Sequence, residues 1–97
     1  MARLAKRKAA TGLPAMRVLD FGGCTALTDR GLSAVLTQCP ALQSLDCRSV
    51  RVGPASLAVL RVCTHLTELN ANFCGISAAD AAALRAALPS LKYFTAQ

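Results

Sequence analysis

Leu66-Thr67-Glu68-Leu69-Asn70-Ala71-Asn72-Phe73-Cys74 decides how this chain folds. Its apolar residues follow the spacing L-x-x-L-x-A-x-x-C. Leu69 and Ala71 alternate with polar neighbours, the period of a short strand with one face buried. The same spacing occurs earlier as Met16-x-x-Leu19-x-Phe21-x-x-Cys24 and as Leu42-x-x-Leu45-x-Cys47-x-x-Val50. It starts again at Leu91-x-x-Phe94-x-Ala96. The unit therefore recurs every 24 to 26 residues. Such a period means stacked units, each burying its apolar face against the next, and not one globular core.

The residues between these strands have helical spacing. In the first unit Leu27, Leu32, Val35 and Leu36 share a face, with Thr28 or Asp29 as the cap. The second uses Val52, Leu57 and Leu60, with Pro54 at the helix start, where a missing N–H costs least. The third uses Ile76, Ala81 and Leu84, with Ser77 and Asp80 in a capping-box pattern. Gln38-Cys39-Pro40, Val62-Cys63-Thr64 and Ala87-Leu88-Pro89 turn the chain into the next strand. Parallel strands need a long crossover, and the helices provide it. The expected fold is an α/β solenoid with parallel strands on its concave face and helices on its convex face. Residues 1–12 form a basic N-terminal tail or a short capping helix, and 13–97 form a repeat domain of about three and a half units.

The chain is 54% hydrophobic, yet no apolar run approaches the 18 or so residues of a membrane span. The longest candidate, 78–88, is cut by Asp80 and Arg85. The net charge is +6, and four of the positive charges, Arg3, Lys6, Arg7 and Lys8, fall in the first eight residues. The repeats are nearly balanced, so the basic character belongs mainly to the tail. The tail either stays solvated or contacts phosphate or an acidic partner. Five cysteines are an odd set, which argues against a closed disulfide framework and for a reducing intracellular compartment. That points first to the cytoplasm. A basic start without acidic residues is also compatible with an organellar targeting peptide, as for the mitochondrion.

The spacing resembles the leucine-rich repeat family, in its cysteine-containing subclass, which typically reads C-x-x-L-x-x-L-x-L-x-x-C-x-x-[LIV]-[ST]-D-x-x-L. Cys63 through Cys74 match it closely, as do Leu19 through Asp29, and Cys39 matches the first cysteine. Val50 replaces the second cysteine of its unit, and Cys47 stands at an inward position normally held by leucine. The resemblance implies a binding role. Members of this subclass often serve as substrate-recognition parts of F-box-type ubiquitin ligases, which makes that role an alternative here.

The cysteines are expected to pack as small hydrophobes, since no C-x-x-C pair offers zinc spacing. His65, the single histidine, falls in a helix-to-strand turn without an evident nucleophile or orienting acid. Gly22-Gly23 is a turn pair, and no phosphate loop, zincin motif or nucleophile elbow occurs. These readings favour a non-enzyme without cofactor or metal.

The strand face is the better candidate. Val18, Ser44, Glu68 and Tyr93 are expected to align as one outward row. Asp20, Asp46, Asn70 and Thr95 form the next, and Gly22, Arg48, Asn72 and Gln97 the third. The candidate protein-binding set is Asp20, Asp46, Arg48, Glu68, Asn70, Asn72 and Tyr93. Arg and Tyr are enriched at interface centres. The aspartates also fit a second reading, in which they bind local backbone groups. At the far end, Leu84, Leu88, Leu91 and Phe94 are expected to leave an apolar surface for a partner to cover. The leading reading is a non-catalytic interaction module or structural subunit. A third is a ribonucleoprotein subunit whose basic tail touches RNA.

Overall fold

The computed structural model describes residues 15–97. The tail or capping helix expected over 1–12, with Arg3, Lys6, Arg7 and Lys8, lies outside the described residues. Strands and helices alternate along the chain: β1 (Val18–Asp20), α1 (Asp29–Thr37), β2 (Ser44–Asp46), α2 (Pro54–Leu60), β3 (Glu68–Asn70), α3 (Ala78–Ala87) and β4 (Tyr93–Thr95). The strands form one parallel sheet in the order β1-β2-β3-β4. Consecutive units are therefore spatial neighbours, as in a solenoid.

Each strand has three residues because only its central side chain points inward. Leu19, Leu45, Leu69 and Phe94 stand in register as a buried spine. The next inward positions, Phe21, Cys47 and Ala71, lie just beyond the strands and are also buried. Hydrogen bonds continue past the strand ends. The Phe21, Cys47 and Ala71 amides donate to the carbonyls of Asp46, Asn70 and Thr95, and the Gly23, Ser49 and Phe73 amides to those of Arg48, Asn72 and Gln97. The strand-to-helix loops thus stack in the same register as the sheet.

Two helices carry the expected caps, and α2 is capped from another unit. Thr28 caps α1 by accepting from the Gly31 amide at 3.0 Å, and Ser77 caps α3 by accepting from the Asp80 amide at 3.1 Å. At the head of α2 the cap residue is Gly53, which has no side chain to offer. Asp29 of the preceding unit takes over. Its carboxylate accepts from the amides of Gly53 at 2.9 Å, Ala55 at 3.1 Å and Ser56 at 2.9 Å. Pro54 has no N–H, so every available donor from the cap through the third helical residue is satisfied. The buried Ser56 hydroxyl completes the tie by donating to the Asp29 carbonyl at 3.0 Å. Leu27, Val52 and Ile76, read as helical from their spacing, instead sit one residue before the caps. With Leu32, Leu57 and Ala81 five residues on, they have the spacing of hydrophobic staples, and all six belong to or pack against one core.

Cys39, Cys47, Cys63 and Cys74 are buried in that core, and Cys24 packs against it half-buried. The Cys74 thiol donates to the Cys47 carbonyl of the preceding unit at 2.8 Å. Contact with the Cys74 sulfur, reinforced by burial, pushes the Cys47 thiol up. Burial does the same to Cys39 and, with Cys39 nearby, to Cys63. Cys39, Cys47 and Cys63 therefore stay neutral and behave as small apolar side chains.

The apolar end expected from Leu84, Leu88, Leu91 and Phe94 is largely absent. Leu84, Leu88 and Phe94 are buried, and only Leu91 remains half-exposed. Arg85 provides the cover. Its guanidinium lies 4.7 Å from the centre of the Phe94 ring and reaches the Phe94 carbonyl at 3.5 Å.

Candidate functional site

The outward rows of the sheet fall in the expected register. Val18, Ser44, Glu68 and Tyr93 are aligned, and so are Asp20, Asp46, Asn70 and Thr95. The backbone bonds between Gly22–Gly23, Arg48–Ser49, Asn72–Phe73 and Gln97 extend the alignment to the third row.

The second row is partly committed to the fold. Asp20 accepts from the Gly22 amide at 2.9 Å, Asp46 from the Arg48 amide at 3.2 Å and Asn70 from the Asn72 amide at 3.2 Å. One side-chain turn, repeated in three units, ends β1, β2 and β3. Asn72 in turn accepts from the Gln97 amide at 3.0 Å, and the Thr95 hydroxyl reaches Asn70 at 3.4 Å. The local-backbone reading of Asp20 and Asp46 therefore has direct geometric support. Each aspartate also has a second carboxylate oxygen to offer.

Arg48 leans back over the first unit. A Cβ placed on Gly22 would fall 2.6 Å from Arg48 Nε, so glycine leaves room for the guanidinium to lie across this backbone. Arg48 Nε is 3.7 Å from Asp46 Oδ1, with about half of the arginine side chain exposed. An exposed pair of this length adds little to stability. The first row has no comparable internal role. Tyr93 is 66% exposed and Val18 is 63% exposed, a scale that marks both as available surface. Ser44, Asp46, Glu68, Asn70, Tyr93 and Thr95 line a shallow groove of about 250 Å3 over the last three strands.

His65 is exposed in the turn between α2 and β3. Among the described residues, no three His, Cys, Asp or Glu side chains converge as a metal site. No described helix is long and apolar enough to cross a membrane.

Phe73 was not singled out by sequence reasoning. It is 74% exposed and has φ of +60°. The equivalent residues of the earlier units are Gly23 and Ser49, also at positive φ. The signal was present in the alignment of units: a small residue, a second small residue, then an aromatic one.

A four-stranded parallel sheet, one helix per crossover and inward positions in register define a short α/β repeat solenoid. The leucine-rich repeat family model matches residues 13–36 and 62–84, and the unmatched stretch between them contains a further unit built on β2 and α2. The chain thus contains leucine-rich repeats. No solved structure matches it. Leucine-rich repeat domains generally mediate protein–protein interaction and are typically not enzymes.

Proposed function

We propose that this chain is a non-catalytic interaction module that holds a partner protein on its strand face, centred on Glu68, Arg48 and Tyr93. The observation that carries this reading is the first outward row. Tyr93 and Val18 expose apolar surface at its two ends, and the polar residues Ser44 and Glu68 lie between them. Large exposed apolar side chains beside polar groups suit a protein contact. Asp46 and Asn70 form the groove floor and are held still by their turns, so a partner meets prearranged acceptors.

The test is affinity capture with the whole chain, followed by quantitative comparison with variants. Tyr93→Ala and Glu68→Lys are expected to reduce a specifically retained partner by about tenfold or more. Arg30→Ala, on α1, serves as the distant control and is expected to change nothing. Equal retention by all four proteins would place the contact elsewhere.

A further inference from the structure

The three strand-to-helix loops, residues 21–28, 47–53 and 71–77, contain two arginines and no acidic residue. They stack through the Gly23–Arg48, Ser49–Asn72 and Val52–Cys74 backbone bonds and so form one continuous edge beside the strand face. Arg48 lies across Gly22 of the first loop. Arg51, exposed, runs its stem toward the third loop, where its Cδ is 3.9 Å from a Cβ placed on Gly75. Of the carboxylates bordering these loops, Asp29 is committed to the amides at the head of α2, while Asp20 and Asp46 accept the Gly22 and Arg48 amides of their own turns. The charged side chains carried by the loops themselves are thus all cationic.

Phe73, in the third loop, adds an exposed apolar ring to this edge. A bulky side chain at φ near +60° is a true backbone outlier, because its Cβ crowds the following carbonyl. The fold recovers little of that cost by packing, since most of the ring is exposed. The same turn is made with Gly23 and Ser49 in the other units, so the turn itself does not require an aromatic residue. Strain that internal packing does not offset points to an external contact.

We propose that this loop edge docks an acidic segment of a partner protein, with Phe73 receiving an apolar side chain and Arg48 and Arg51 pairing with flanking carboxylates. Arginine forks match carboxylates with two parallel bonds, and an exposed ring on the same edge as two such cations favours a segment that combines an apolar residue with acids. The proposal rests on the reading of the chain as an interaction module; it shares Arg48 with the strand-face site but does not use the row of Glu68 and Tyr93.

The experiment uses the whole chain and a peptide array. Each peptide carries one Phe, Leu or Trp flanked by Asp or Glu at varied spacing. Matched peptides have the acids replaced by Asn and Gln or by Lys, and a single-stranded oligonucleotide is included. Preferential binding of acidic-apolar peptides is expected. Phe73→Ser and Arg51→Glu should each weaken it by about tenfold, while Tyr93→Ala leaves it unchanged. Phe73→Gly should keep or raise the melting temperature, because glycine suits this backbone. A fall in melting temperature for Phe73→Gly would assign the ring to the fold and overturn the proposal. So would indifference to peptide charge, or binding of the oligonucleotide alone. Peptide binding lost in Tyr93→Ala but retained in Phe73→Ser and Arg51→Glu would also overturn it, while leaving the strand-face reading intact.

Discussion

Between α1 and α2 a single carboxylate spans the seam, whereas between α2 and α3 the equivalent position is occupied by Pro54. Asp29 is the first residue of α1, and it caps the next helix rather than its own. Pro54, the first residue of α2, has nothing to offer α3, which is capped by its own Ser77. Packing follows the same division. Leu32 and Leu36 of α1, and Ser56, Leu57 and Leu60 of α2, are buried, but α3 buries only Leu84. A groove of about 360 Å3 opens between α2 and α3, lined by Val52, Pro54, Leu57, Ala58, Arg61 and Asp80. The alanine-rich α3 relies more on intrinsic helix propensity and less on its neighbour. In a stacked protein, cohesion is set interface by interface, so one residue can make neighbouring seams unequal.

Removing the Asp29 carboxylate should erase most of this inequality. Asp29→Ala leaves the three amides of Gly53, Ala55 and Ser56 without their acceptor. Losing a side-chain cap costs about 0.5–2 kcal/mol, and part-buried donors left unpaired add to it, so a loss of about 2–3 kcal/mol is expected. Urea unfolding measures it as a lower midpoint with an unchanged slope. A loss below about 0.5 kcal/mol, the level of an ordinary surface change, would show that the carboxylate does not hold the seam.

Gly53→Ala tests the same tie from the other side. Gly53 has an extended backbone at φ −117°, which any residue adopts, so the substitution brings no torsional strain. The added Cβ, however, would fall 2.8 Å from Asp29 Oδ2 and displace the carboxylate. The expected cost is about 1–2 kcal/mol, in the range of coupled neighbours. In an Asp29→Ala background it should nearly vanish. An undiminished cost there would mean that the clash lies elsewhere.

The tie also has a pH signature. Burial alone would raise the Asp29 pKa, but the Ser56 hydroxyl and the three backbone amides together outweigh it and hold the carboxyl below its ordinary value. A carboxylate depressed in the folded state contributes its stabilisation fully above the unfolded value. That contribution is lost as pH falls through the folded value. The stability difference between the native chain and Asp29→Asn should therefore be constant above about pH 5 and narrow steadily in more acid solution. A difference independent of pH would remove ionisation from the account of the seam.

The spine of Leu19, Leu45, Leu69 and Phe94 was legible because an inward residue in a strand repeats its spacing in every unit. The outward rows followed from the same alternation, and the places of the cysteines from the spacing of the whole repeat. Asp29 was legible only as a cap for α1, because its actual targets lie 24 to 27 residues ahead in another unit. The sequence did hold a clue: Gly53-Pro54 starts a helix with no polar cap of its own. The cover over Phe94 was missed for a related reason. Exposed apolar area was inferred from leucine and phenylalanine positions, but Arg85 reaches back from α3 to the ring, a contact that strand or helix periodicity does not encode. Phe73 escaped notice because positive φ belongs to the repeated turn, not to any propensity of phenylalanine.

The smallest effect is expected at the other seam. Arg61 ends α2, is exposed and borders the α2–α3 groove, with Asp80 of α3 among the residues that line it. Among the described residues, no ion pair joins them. Arg61→Ala should therefore change stability by no more than about 0.5 kcal/mol in urea, as for a surface residue without a fixed partner. The same holds for Asp80→Ala, apart from a contribution of about 0.3–1 kcal/mol from a negative charge in the first turn of a helix. These two costs should add, because each charge acts alone. If the double variant instead lost less than the sum, the two side chains would be bridging the groove in solution. The α2–α3 seam would then be held by side-chain charges, as the α1–α2 seam is held by a charge and backbone amides, and the contrast between them would be one of strength and not of kind.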